Sequence, residues 1–232
     1  MKRYLPFLLI GAVLGAAIIA FVALSGRSPA GSGRQQPPAD LATRPLTVGD
    51  APRAPVPGAS PPHDTWQSGS SVTLEEFGDY QCPPCGALHE EMKKLNPSYR
   101  QRVRLIFRNF PLPTLHANAV DAARAAEAAG LQNRFWEMHD RLYDEQKKWE
   151  KDPNARQIFT DYARSLGLDV GRFTHDLDSM QVNTRIQQDV NRGQSLGVGG
   201  TPTIYLNGRE LKLAAPGDLQ KALDLALQSQ TR

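Results

Sequence analysis

The sequence predicts an α/β domain, a mixed β-sheet with helices packed around it, carried behind an apolar N-terminal segment and a proline-rich linker. Three observations predict it. Two runs rich in β-branched and aromatic residues flank a helix that starts on prolines, which reads as strand, crossover helix and parallel strand. A long block with apolar residues at helical spacing follows. The chain then returns to two short apolar runs around Asn207 and Gly208, the favoured two-residue hairpin turn, and closes on an amphipathic stretch.

At the N-terminus, Lys2 and Arg3 precede an uncharged apolar run over residues 6–24. Its 19 residues approach the ~20 that cross a bilayer as a helix. The paired charges predict that the short end stays in the cytoplasm and the rest of the chain faces outward. The expected location is the inner membrane, single-pass, with the C-terminal domain on the periplasmic side. A cleaved signal peptide is the alternative, on the small residues around Ala23, Ser25 and Gly26, although the run is long for one. No cysteine follows the run, which excludes a lipoprotein anchor. Nine of the 18 prolines then fall within residues 25–65, with few large apolar groups. Such a segment cannot offset its ordering entropy and reads as a partly extended linker. An edge strand near Leu46 and Val48 is the competing reading. The folded domain is expected over residues 66–232.

Within that domain, residues 71–77 carry Val72, Thr73, Leu74 and Phe77 and read as a strand. Asp79 and Gln81 belong to the turn out of it. A helix then starts at Cys82, with Pro83 and Pro84 in its first turn, where no N–H partner is needed. Val103, Leu105, Ile106 and Phe107 mark a second strand over residues 103–110, ended by Pro111 and Pro113. The helical block opens with alanine-rich residues 117–129, closed by Gly130. Phe135, Met138, Leu142 and Tyr143 predict one helix over 134–149; Ile158, Tyr162, Ala163 and Leu166 predict another, ended at Gly167. Further helices are expected over 169–177 and 182–195. The aromatic residues of the block are read as core. Residues 203–206 and 209–213 form the hairpin strands. Asp218 is expected to cap a last helix with Leu219, Ala222, Leu223 and Ala226 on its apolar face. No strand before Val72 is evident.

Composition narrows the function. A hydrophobic fraction of 40% suits a globular domain. A net charge of +3, with no basic run interleaved with aromatics, offers nothing for nucleic acid. The two cysteines cannot make a multi-bridge scaffold, and they fall short of a four-ligand zinc site. At C-x-x-C spacing on a first helical turn they can reach each other, and the short loop leaves their bond exposed and easily reduced. The helix N-terminus favours a thiolate on Cys82, the expected nucleophile. Cys85, one turn in, is expected to resolve the mixed disulfide. Pro83 and Pro84 both lack an N–H and tune the pair by offering the sulfur fewer donors. The expected reduction potential lies roughly between −270 and −120 mV.

Residues 76–85, from Glu76 through Gly78, Asp79 and Tyr80 to Cys82, Pro83, Pro84 and Cys85, resemble the active-site strand and turn of DsbA-like proteins in the thioredoxin superfamily. Residues 197–203, with Gly199, Gly200, Thr201 and Pro202, resemble their cis-proline loop. Residues 103–111 resemble the family's second strand, and the block between Pro111 and Ser195 resembles its helical insertion. The resemblance runs from about Val72 to the C-terminus. It implies a thioredoxin-like mixed sheet with a helical insertion at about residues 112–195. It implies a protein thiol-disulfide oxidoreductase that uses the Cys82–Cys85 pair and no other cofactor. Pro202 is then the cis-proline, Thr201 presents its backbone to an extended substrate strand, and Glu76 moves a proton to or from Cys85. Implied partners are reduced or unfolded exported proteins and a membrane redox partner. Two departures bear on direction: Pro84 stands where the best-known oxidases have histidine, and Thr201 is a residue also used by isomerases. Introduction of disulfides is the primary expectation, with reduction or isomerisation as the alternative.

Two readings of other classes compete. Cys82, Cys85 and His89 could form a small metal set on one helix, or the fold could be a redox-silent binding module. No metal ligand is expected, and His116 and His139 receive no role from the sequence.

Overall fold

The computed structural model describes residues 64–66, 70–95 and 97–230. The apolar run at residues 6–24 and nearly all of the proline-rich segment, including Leu46 and Val48, lie outside the described residues. Among the described residues no helix is long and apolar enough to cross a membrane.

Five strands form one sheet: β1 (Asp64–Trp66), β2 (Val72–Gly78), β3 (Val103–Asn109), β4 (Thr203–Leu206) and β5 (Arg209–Leu211), in the order β1-β3-β2-β4-β5. Strands β2 and β3 run parallel, with Val72 opposite Val103 and Glu76 opposite Phe107. The other pairings, β1 with β3, β2 with β4 and β4 with β5, are antiparallel. The central pair is buried along most of its length, and the buried positions include Glu75, Glu76, Arg108 and Asn109 beside the apolar residues. Asn207 and Gly208 both take positive φ, 52° and 79°, as the hairpin turn requires.

The crossover between β2 and β3 contains α1 (Pro83–Lys94) and a single turn, α2 (Pro97–Arg100). Leu88 and Met92 of α1 pack with Val72, Leu74, Val103, Leu105 and Ile204 on one sheet face. The last helix, α9 (Asp218–Gln228), lays Leu219, Leu223 and Leu227 on the same core.

Between β3 and β4 the chain forms α3 (Ala119–Gly130), α4 (Phe135–Asp144), α5 (Gln146–Trp149), α6 (Ala155–Ser165), α7 (Val170–Asp176) and α8 (Met180–Ser195). Alanines 122, 123, 125, 126, 128 and 129 of α3 are buried, and their small side chains let neighbouring helices approach closely. Trp149 is fully buried, donates its indole N–H to the Leu142 carbonyl at 2.9 Å, and packs on Phe159.

Four expectations need correction. The sheet begins at Asp64, inside the expected linker, because β1 is a three-residue edge strand held by backbone pairing to β3. Such a strand leaves no apolar alternation to detect. The helix expected over 134–149 is two helices, because Glu145 leaves helical geometry at φ −109° and ψ 17°. Asp218 does not cap α9: Gly217 does, at φ 85°, while the Asp218 carboxylate accepts the N–H groups of Ala214 and Ala215. The second hairpin strand ends at Leu211, not residue 213.

Candidate active site

Both cysteines lie at the start of α1. Cys82 is the N-cap residue, with φ −72° and ψ 120°, and its N–H donates to the Asp79 carbonyl at 3.0 Å. The N–H groups of Cys85 and Gly86 donate to the Cys82 carbonyl at 3.1 and 3.2 Å. Prolines at the first two helical positions leave no other donor in that turn. Both cysteines are free thiols in this structure.

Their environments differ. The Cys82 sulfur lies 3.3 Å from the Thr201 carbonyl oxygen. Its pKa falls from 9.0 to about 6, chiefly through the hydrogen bond from the Cys85 thiol, helped by the Thr201 side chain and the Cys85 N–H, against opposing burial. Cys85 is fully buried, and burial pushes its thiol far above the ordinary range; the Cys82 hydrogen bond and the Glu76 charge add to this. The peptide between Thr201 and Pro202 is cis.

Glu75 and Glu76 go to opposite faces of β2, as alternation demands. Glu75 accepts from Arg108 at 2.9 Å and from Arg192 at 3.1 Å, and Arg108 also donates to Asp189 at 3.0 Å. Glu76 is 1% exposed, and neither carboxylate oxygen has a hydrogen-bond partner. Burial alone raises its pKa from 4.5 to about 8.

Asp79, His116, Gln146 and Tyr143 make contacts around the turn that their place in the sequence does not announce. Asp79 is buried: one carboxylate oxygen accepts the Gln81 N–H at 2.8 Å. The other accepts the Leu112 N–H at 2.9 Å and lies 2.8 Å from His116 Nδ1, which gives that histidine a partner. Gln146 of α5 donates its amide to the carbonyls of Tyr80 (2.7 Å) and Cys82 (3.0 Å). Its amide oxygen lies 3.0 Å from where a Cβ on Gly86 would sit, so the glycine makes room for the clamp. Tyr143 of α4, read as core, stacks on His89 at 5.1 Å.

Pro83 and Pro84 are exposed. Pro84 and Pro202 border a groove of about 570 Å³, floored by Ala87, Leu88, Leu95 and Leu213. The cysteines and His89 do not converge as a ligand set, since His89 turns its Nε2 to Asp144 at 3.1 Å. His89 does come within 4.8 Å of His139 and Asp140, but Lys93 and Arg100 line the same pocket and their charges oppose a cation there.

A family model described as Thioredoxin matches residues 67–225, more than half of the chain. The chain belongs to the thioredoxin family. It is similar to a thioredoxin-like oxidoreductase from Silicibacter pomeroyi DSS-3, with 28% identity and a TM-score of 0.60 over 73% of this chain and 94% of that one. Oxidised BdbD from Bacillus subtilis shares the fold at 23% identity, with a TM-score of 0.62 over 71% of this chain and 92% of that one. Among curated proteins, the Na(+)/H(+) antiporter NhaA 3 of Salinispora tropica is 40% identical over 138 residues, 60% of this chain. The chain spans about a fifth of the length of the curated relatives it matches, since the matched part is 20% of that antiporter.

Proposed function

We propose that this thioredoxin-family protein introduces disulfides into exported proteins through Cys82 and Cys85, from a domain tethered outside the cytoplasm. The observation that carries the reading is the asymmetry of the pair. A Cys82 thiolate favoured above about pH 6 stabilises the reduced protein, and whatever stabilises the dithiol makes its disulfide the stronger oxidant. Cys82, 5% exposed against 0% for Cys85, is the attacking and leaving sulfur, at the N-terminal end of the helix beside the cis-proline loop. Cys85 is the sealed partner. Glu76 exchanges a proton with Cys85, and Pro83 and Pro84 tune the pair by withholding N–H donors. The Thr201 backbone, whose carbonyl already reaches the Cys82 sulfur, receives an extended substrate segment, with Pro202 holding that edge open. The reaction needs no cofactor beyond the dithiol.

Residues 1–24 anchor the chain in the inner membrane, residues 25–65 space it from the surface, and residues 66–232 work on the periplasmic side. Reduced exported proteins are the substrates, and a membrane redox partner reoxidises the pair. Two measurements on the full chain test this. A redox titration against glutathione is expected to place the potential roughly between −270 and −120 mV, toward its oxidising end. Refolding of a reduced, disulfide-containing protein is expected to depend on Cys82. If Cys82→Ser leaves refolding unchanged, the reading is wrong. A potential at or below that of thioredoxin would make the protein a reductase instead.

A further inference from the structure

We propose that Tyr143, with Tyr80 beside it, relays the proton between Glu76 and Cys85. The proposal rests on the exchange reaction above and adds to it a group from the helical insertion.

Four buried oxygens carry the argument: both carboxylate oxygens of Glu76 and the hydroxyls of Tyr80 and Tyr143 have no hydrogen-bond partner among the described residues. Folded proteins keep few such atoms, and each calls for an explanation. These lie together. The Tyr80 and Tyr143 rings are 4.9 Å apart. The Tyr143 hydroxyl occupies the notch left by Gly78, 2.8 Å from where a Cβ would sit. Gly78 follows Glu76 by two residues on β2, so the notch and the Glu76 side chain share one sheet face. Phe107, the register partner of Glu76, walls the same space, 5.2 Å from Tyr80.

Cys85 belongs to the same buried cluster as Tyr80, Tyr143 and Phe107. The charges of Cys85 and Glu76 both act on Tyr143, and that of Glu76 acts on Tyr80. The other charges reaching the two tyrosines are acidic: Asp79 from the turn, Glu127 from α3, Asp140 from α4 and Asp189 from α8. The rings of His89 and His139 pack against Tyr143 at 5.1 and 5.2 Å. A hydroxyl both donates and accepts, so it can take one proton and give another in a single movement.

The step balances as follows. A substrate thiolate attacks the Cys82 sulfur, the Cys82–Cys85 bond breaks, and Cys85 leaves with the electron pair. The Tyr143 hydroxyl, unbonded in this structure, turns to the new thiolate, gives its proton to Cys85 and takes one from protonated Glu76. A second substrate thiolate then attacks the substrate sulfur of the mixed disulfide and releases Cys82 as a thiolate. The substrate dithiol is oxidised by two electrons, and the cysteine pair is reduced by two.

The test is rapid mixing of the oxidised full chain with a peptide carrying two reduced cysteines, followed across pH. Tyr143→Phe removes one oxygen and keeps the ring. Its first-step rate near neutrality is expected to fall about tenfold or more, with the limb set by Glu76 displaced. The ultraviolet titration of the Cys82 thiolate is expected to stay where it is. Tyr80→Phe is expected to show a smaller loss of the same kind. Wild-type rate and pH profile in Tyr143→Phe would overturn the proposal. Should that variant not fold, an equal wild-type rate in light and heavy water would overturn it as well. A wild-type chain that oxidises no peptide at any pH sinks the exchange reading itself. An active wild type with an indifferent Tyr143→Phe sinks only this step.

Discussion

Replacing Glu76 by glutamine removes a titration and little else, because the two side chains have nearly the same shape. Glu76 is 1% exposed without a partner, and its folded pKa is about 8 against 4.5 for the free group. The sign follows from proton counts. Between these two values the unfolded chain has released the proton and the folded chain still holds it, so stability falls as pH rises. Each pH unit in that window costs about 1.4 kcal/mol. The penalty is therefore under about 1 kcal/mol at roughly pH 5 and about 3 kcal/mol at roughly pH 7. Glutamine carries no such penalty, so its advantage over the wild type should grow by about 2 kcal/mol between those conditions. Urea denaturation of both proteins, reduced, at the two pH values measures this. The contribution of Cys82 is common to both proteins and cancels. An advantage that stays constant within about 0.5 kcal/mol would refute the burial argument, since it would mean that the folded carboxyl titrates normally.

Other perturbations follow from the same geometry. Thiolate absorbance of the reduced protein should titrate with a midpoint near 6 for Cys82, and alkylation of that sulfur should slow below it; a midpoint near 9 would remove the case for an activated thiol. Gln146→Leu strips the amide from the Tyr80 and Cys82 carbonyls and should cost about 1–3 kcal/mol, with slower disulfide exchange. Equilibrium unfolding and peptide-oxidation kinetics read both effects. Arg108→Met leaves Glu75 and Asp189 each short of a buried partner and should cost about 3 kcal/mol or more by denaturation. Arg192 and Arg185 still pair with those acids, which holds the loss at the lower end.

Much of the fold is legible locally. The two parallel strands announce themselves through runs rich in β-branched and aromatic residues, with Val72, Thr73, Leu74 and Phe77 in one and Val103, Leu105, Ile106 and Phe107 in the other. The Asn207–Gly208 turn is legible because few residues accept two consecutive positive φ values. What escaped was held by backbone or by distant partners. Strand β1 exists through its pairing with Leu105 and Ile106. The break at Glu145 turns α5 so that Gln146 reaches the active-site turn, and nothing in residues 134–149 themselves encodes that destination.

The same division runs through the site. By itself the sequence determined a helix starting at Cys82 with two prolines in its first turn, because proline requires no N–H partner there. It also determined that Glu75 and Glu76 face opposite ways, because strand side chains alternate. Tertiary structure alone decided which carboxylate meets Arg108 and Arg192 and which is left unpaired among apolar side chains. It decided that Tyr143, ordinary core by its helical spacing, places its hydroxyl in the notch at Gly78. Helical or strand period records which face is buried. It carries no record of what is buried opposite, because that partner arrives from another part of the chain and only folding brings the two together.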